Sequence, residues 1–452
     1  MNIIVVGCGK IGTILIESLS AEGHDITAID NDPAVIKEIT NIYDIMGVCG
    51  SGTDCSVLEE AGVEKARLII AATGSDEFNM LSCFIAKKMG ARHSIARIRD
   101  PQYNQNSLGF LRENLNLSMA LNPDLLAAQE LFNILKLPGA VKVETFSRRN
   151  FEMIELVIKS GSILCGMTLS NLRAKFTSRF LVCVVCRGED VYIPDGNFEL
   201  REGDRIGISA DIAELHKFLK ESSITQKQAR KVVILGGSKI SYYLAKALTE
   251  GGTSVKIIEK NLEKCEQFSE KLPKAVIIHG DGTEQELLLE EGIESADAFV
   301  ALTNLDEQNI LISIFASNHN VPKTIAKVNR KALISMSDKL GLDTVVSPKS
   351  ITSDVVVSYA RALENTEGST IETLYNLFDG KAEALEFKVT TESKATNIPL
   401  KDLKTKPNTL IAGIIRGRRA ITPTGDDCIL PSDRVIIITS GNRLSDITDI
   451  LD

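Results

Sequence analysis

The stretch Gly7-Cys8-Gly9-Lys10-Ile11-Gly12 sets three glycines at the spacing G-x-G-x-x-G, between an apolar run and an amphipathic one. In that context the first glycine makes a tight turn, the second lets the backbone approach a diphosphate, and the third lets a helix pack closely on a strand. The start of the helix, at Lys10 and Ile11, then supplies amides and a positive partial charge for the anion. Asp30 closes the next apolar run, DITAID. A carboxylate there can accept both ribose hydroxyls and repels a 2′-phosphate, so the pair points to NAD(H) or an adenine nucleotide over NADP(H).

Three further positions fall at the ends of apolar runs, where ligands of open α/β sheets bind. Thr73-Gly74 ends RLIIAATG, Gly50-Ser51-Gly52 ends a shorter run, and Arg97 is the basic residue inside SIARI. Gly52 could approach the ribose or adenine. The Arg97 cation could reach a phosphate or a neighbouring subunit.

The same constellation occurs twice. KVVILGGSKIS answers NIIVVGCGKIG, and Glu259 answers Asp30; 236 − 7 and 259 − 30 both equal 229. Further on, Gly282-Thr283 answers Gly52-Thr53, Thr303 answers Thr73, Asp306-Glu307-Gln308-Asn309 answers Asp76-Glu77-Phe78-Asn79, and Lys327 answers Arg97. In the second turn Gly236 is kept, but Ser238 and Ser241 replace the second and third glycines and add side chains where approach and packing are tight. Glu259, Thr303 and Lys327 preserve the acid, the strand-end hydroxyl and the charge of a second candidate site.

The elements that must hold these residues read as apolar strands alternating with helical stretches, the pattern of a parallel sheet with crossover helices. Each copy is followed by short strands with Gly and Asp turns, and Asp433-Arg434 answers Asp204-Arg205. The expected fold is therefore α/β, with two Rossmann-like domains, each followed by a small α+β domain. The expected boundaries are 1–124, 140–222, 229–350 and 368–452, with linkers near Leu137-Pro138-Gly139, in Glu221–Arg230 and in Glu364–Ser369.

Composition narrows the function. The 452 residues exceed what one core supports, and 44% apolar with 25% charged residues is ordinary for a folded soluble protein. A net charge of −9 opposes binding to nucleic acid. The opening MNIIVVGCGK lacks the basic segment of an export signal, and no run approaches the ~18 apolar residues of a spanning helix, so a cytosolic protein with reduced thiols is expected. Cys183-Val-Val-Cys186 lies in a β-type run where residues three apart face opposite sides, which favours a core strand over a redox pair. The five histidines show no zinc spacing, so no metal is expected. Arg416-Gly417-Arg418-Arg419 reads as a solvated hairpin turn. An NAD-dependent oxidoreductase of unknown substrate is the competing class, but the turns of the small modules offer only Lys, Arg, Asp and Glu as a general acid or base. A ligand sensor without catalytic residues fits better.

GCGKIG, Asp30, AATGSDEFN, ARIRDP, VVSPKS and the tandem layout together resemble the TrkA family, the cytosolic regulatory subunits of Trk-type potassium uptake systems. The resemblance covers essentially the whole chain. It implies two regulator-of-conductance-of-potassium N-domains, each with its C-domain, binding NAD(H), with ATP or ADP as a further ligand class. It also implies a homotetrameric ring held at the inner face of the cell membrane by a TrkH- or TrkG-like potassium-translocating subunit. By that resemblance Gly7, Cys8, Gly9, Lys10, Ile11, Asp30, Thr73, Gly74 and Arg97 are ligand contacts.

Overall fold

The computed structural model describes residues 1–452 apart from 104, 138, 147–150, 225–227, 343, 365–368, 379 and 391. The three expected linkers each run through positions outside the described residues, at 138, 225–227 and 365–368. The chain forms two compact units, Met1–Ala127 with Ser347–Ala360, and Ala128–Val346 with Arg361–Asp452.

The first unit is built on six strands: β1 (Asn2–Val6), β2 (Asp25–Asp30), β3 (Met46–Cys49), β4 (Leu68–Ala71), β5 (His93–Arg97) and β6 (Met119–Leu121). Their order is β3-β2-β1-β4-β5-β6, and every neighbouring pair is parallel. β1 and β4 are central and covered on both faces, which explains their unbroken NIIVV and LIIA runs. Helix Lys10–Ala21 crosses from β1 to β2 and buries Ile11, Leu15, Ile16 and Leu19 at helical spacing. β3 and β6 give no clear sequence signal, being short and, in β3, interrupted by glycine. Gly47 is needed there: a Cβ would stand 2.7 Å from both Ile36 Cγ2 and Thr40 Cγ2 of helix Pro33–Ile42. Helix Pro348–Glu364 contributes its residues up to Ala360 to this unit, where Ser353 Oγ donates to Ser18 Oγ at 2.7 Å.

The second unit contains a parallel sheet of the same design, in the order Val276–His279, Ser254–Glu259, Lys231–Leu235, Ala298–Ala301, Lys323–Lys327, Val345–Val346. It also contains two five-stranded antiparallel sheets with matching topology. One runs Asp190–Tyr192, Leu181–Arg187, Arg205–Asp211, Phe151–Val157, Lys142–Phe146. The other runs, in reverse, Arg419–Ile421, Thr409–Arg416, Arg434–Thr439, Ala382–Val389, Ser369–Leu377. They share an apolar core in which Phe146, Phe151 and Val184 meet Leu377, Ala384 and Ile436. Gly413 lies so close to Phe151 that a Cβ would stand 2.6 Å from its ring. The duplication read from the sequence is thus a duplication of fold.

One local expectation changes and one is extended. Cys183 and Cys186 do not face opposite sides, because the ladder shifts register between Gly207 and Ile208, opposite Cys183; both thiols enter the core the two antiparallel sheets share. Arg416-Gly417-Arg418-Arg419 forms the expected hairpin, with all four residues exposed, but Arg416 also has a buried partner. Its Nε and Nη2 donate to Asp433 Oδ1 at 2.9 Å and Oδ2 at 2.8 Å, with Asp433 buried, and Arg187 grips buried Asp204 in the same way. Gly417, at φ +62°, and Arg418 make the two-residue turn between paired Arg416 and Arg419.

Candidate functional site

Because β1, β2, β4 and β5 are parallel, their carboxyl ends share one edge. The sheet order also reverses at β1, with β2 on one side and β4 on the other, which opens a crevice at that edge. Gly7 follows β1, Asp30 ends β2, Thr73 and Gly74 follow β4, and Arg97 ends β5.

Gly7 adopts φ +89°, and a Cβ on it would stand 2.7 Å from Thr73 Cγ2, so the turn is pressed against the end of β4. Gly12 is equally constrained, since a Cβ would fall 1.8 Å from the Gly7 carbonyl oxygen. Gly9 differs, because nothing lies within 4 Å of where its Cβ would be. The protein's own packing does not require glycine there, and the space opens outward for a ligand. Gly9 also stands as N-cap of helix Lys10–Ala21 without any side-chain cap. Its terminal amides are therefore left for an anion.

Asp30 supports the turn from β2. Its Oδ2 accepts the Cys8 N–H at 2.7 Å and its Oδ1 the Asp32 N–H at 3.0 Å, which holds the carboxylate beside the turn where a ribose would lie. Cys8 is a buried thiol whose Sγ faces the Ile29 carbonyl at 3.8 Å. Burial first, and the Asp30 carboxylate second, push its pKa up to about 12. Cys8 can therefore contribute its backbone but not a thiolate. Lys10 is exposed at the head of the helix, and Ile11 is buried beneath it. Gly52 is buried, its Cβ position 2.2 Å from Val6 Cγ1, and its carbonyl accepts from Ser82 Oγ at 2.7 Å. That glycine lets the 50–53 turn close down over β1.

The strand ends are tied by a residue that motif reading passed over. Asn79, fully buried, accepts from the Thr73 N–H at 2.9 Å and the Thr73 hydroxyl at 2.7 Å, and donates to the carbonyls of Thr73 and Arg97 at 3.3 and 2.9 Å. Asp76, also buried, accepts the N–H groups of Arg99 and Asp100, both at 2.8 Å. The signal for both was available, since Asp76 and Asn79 recur as Asp306 and Asn309. Arg97 donates from Nη1 to the Thr73 carbonyl at 3.1 Å, while its buried Nε has no hydrogen-bond partner among the described residues. Burial, then the neighbouring Arg99, pulls its pKa below the ordinary guanidinium value. A half-buried guanidinium with a spare donor at this edge can take an anionic oxygen. Gly74 is open, with nothing within 4 Å of a Cβ, and its carbonyl accepts from Arg99 Nη2 at 3.1 Å.

The second turn repeats the scaffold and differs in the turn itself. Gly236 has φ +96°, Thr303 bonds to Asn309 at 2.9 and 2.7 Å, and Asn309 reaches the Lys327 carbonyl at 2.8 Å. Lys327 is buried. Helix Lys239–Glu250 carries a capping box between Ser238 and Ser241, and the Ser241 hydroxyl also donates to the Gly236 carbonyl. Glu259 is buried and accepts the Gly237 N–H at 2.5 Å.

Comparison with known proteins agrees with this architecture. The model of the TrkA-N domain matches residues 3–111 and 232–348, and that of the TrkA-C domain matches residues 153–222 and 384–452. The chain is 33% identical to the Trk system potassium uptake protein TrkA homolog of Archaeoglobus fulgidus, over 100% of both chains. It is 31% identical to the Trk system potassium uptake protein TrkA of Halomonas elongata, over 98% of this chain and 96% of that one. The structure of the GsuK channel bound to NAD shares the fold, with a TM-score of 0.62 at 18% identity, over 97% of this chain and 77% of that one.

Proposed function

The chain belongs to the TrkA family, and from that premise we propose that it is a nucleotide-sensing regulatory subunit of a Trk-type potassium uptake system, not an enzyme. The observation that carries the nucleotide part is the open, uncapped turn at Gly9 facing the Asp30 carboxylate. Gly7, Cys8, Gly9, Lys10 and Ile11 would present backbone to the diphosphate, Asp30 would accept the ribose hydroxyls, and Thr73, Gly74 and Arg97 would meet the far half of the ligand. The ligand is NAD(H), with ATP or ADP competing for the same turn. A protein with the related fold is described as bound to NAD, which supports this choice.

The named relatives are potassium uptake proteins, and among the described residues no helix is long and apolar enough to cross a membrane. Control of potassium flux therefore falls to a membrane partner resembling TrkH or TrkG. The regulator docks on its inner face as a homotetrameric ring. Nucleotide acts by its differential affinity for two ring geometries, a coupling of about 1–3 kcal/mol per site. Calorimetric titration with NADH, NAD⁺, ATP and ADP, followed by potassium flux in vesicles holding the partner, tests the reading. Saturable binding without NADH consumption, and flux that responds to nucleotide, are expected. Sustained NADH turnover, or flux indifferent to nucleotide, would refute it.

A further inference from the structure

The two glycine turns differ by a matched exchange of side chains. In the first, Cys8 occupies the position after the leading glycine and the acid is the shorter Asp30. In the second, that position is Gly237 and the acid is the longer Glu259. The absent side chain and the extra methylene fit one another. A Cβ on Gly237 would stand 3.0 Å from Glu259 Oε2 and 3.1 Å from its Cγ, so the space a side chain would take is filled by the glutamate. Glu259 Oε2 accepts the Gly237 N–H at 2.5 Å and Oε1 accepts the Asn261 N–H at 2.9 Å, and the residue is 8% exposed.

The rest of the turn is closed in the same way. The Ser238 N–H donates to Ser241 Oγ at 3.3 Å, and the Ser241 N–H donates to Ser238 Oγ at 3.2 Å. The Ser241 hydroxyl reaches the Gly236 carbonyl. The amides of 238 and 241 are thus satisfied by side chains of the turn itself, while Glu259 holds the 237 amide just as Asp30 holds the Cys8 amide in the first copy. In the first turn Gly9 and Gly12 have no side chain to do this.

We infer that Ser238 and Ser241 are the permanent internal occupants of the second glycine turn, with Glu259 packed behind them as Asp30 is behind the first, so that the chain holds one nucleotide, at the first turn. The inference rests on the proposed function for its ligand. Its physical content is a competition: a diphosphate entering the second turn must displace two hydroxyls already hydrogen-bonded to the 238 and 241 amides and the Gly236 carbonyl, whereas the helix of the first turn has no side-chain cap to displace. The second copy then serves as a scaffold of fixed geometry against which the first responds.

The test uses the full chain and NADH as probe. Wild type is expected to bind one NADH per chain, Asp30→Ala none, and Glu259→Ala one, with Kd within about twofold of wild type. Glu259→Asp combined with Ser238→Gly and Ser241→Gly is expected to bind two. Two NADH per wild-type chain, one retained by Asp30→Ala, or one retained by the triple variant would each overturn the assignment. If wild type binds no nucleotide, the proposed function fails, and the closure is decided without ligand by hydrogen exchange of the segment 236–241. Protection in wild type that is lost in Ser238→Gly combined with Ser241→Gly sustains it. Equal exchange in the two proteins overturns it.

Discussion

Asn79 Nδ2 donates to the carbonyl of Arg97 over 2.9 Å, binding the start of one helix to the end of the neighbouring strand. Asn309 makes the same bond to Lys327 in the second copy, over 2.8 Å. A side chain that never faces solvent thus sets the separation of two strand ends that do.

Replacing Asn79 by Ala removes that tie and leaves the Thr73 N–H and the Arg97 carbonyl buried without a partner. Unfolding in urea should show a loss of about 2–4 kcal/mol, since each orphaned group costs roughly 1–3 kcal/mol. Asn79→Asp keeps the acceptor for Thr73 but sets a buried carboxylate oxygen against the carbonyls of Thr73 and Arg97, so at neutral pH it should be no more stable than Ala. An Ala variant as stable as wild type would show that the strand ends are held by something else.

The third glycine of the first turn is sterically obligatory. Gly12→Ala puts a methyl group 1.8 Å from the Gly7 oxygen, which the backbone must move to relieve. NADH affinity should drop at least tenfold, a cost of about 1.4 kcal/mol or more. The opposite change in the second copy, Ser241→Gly, should leave NADH affinity unchanged. A Gly12→Ala protein that binds normally would separate nucleotide binding from turn geometry.

Thiol reactivity should sort by burial. Burial lifts the Cys83 and Cys183 thiols to about 12, as it does Cys8, so none of the three forms thiolate between pH 7 and 9. Cys49, Cys55 and Cys165 are exposed. Alkylation of the native protein at pH 8, read by mass spectrometry, should mark those three and spare Cys8, Cys83 and Cys183 until the chain is unfolded. Fast labelling of Cys8 in the native state would mean that the turn opens readily.

Asp433 is 1% exposed, and Arg416 donates to both of its carboxylate oxygens, one of which also accepts the Leu430 N–H. Arg416→Ala strands a buried carboxylate. The expected loss is about 2–3 kcal/mol, at or below the low end of the roughly 3–5 kcal/mol seen for fully buried pairs, because the arginine side chain is 43% exposed. Arg187→Ala should behave alike through Asp204. Urea unfolding of both variants measures the two losses side by side, and a negligible change in either would contradict this account.

The sequence alone determined the tandem design, the parallel sheets and the residues of the first turn. Each of these rests on local signals: unbroken apolar runs for covered strands, glycine spacing for a turn, and constant register between the copies. Tertiary structure decided the rest. Strands Met46–Cys49 and Met119–Leu121 exist because neighbouring strands and helices accept them, with too few residues for a periodic pattern. Arg416 reads as a turn cation until folding brings Asp433 to it, and Cys183 and Cys186 share a core only because a bulge changes the pleat. The two glycine turns look like a good copy and a damaged one in sequence. That Ser238 and Ser241 satisfy each other's amides in the second, and that Glu259 fills the space a side chain on Gly237 would take, are fits that only three-dimensional packing reveals.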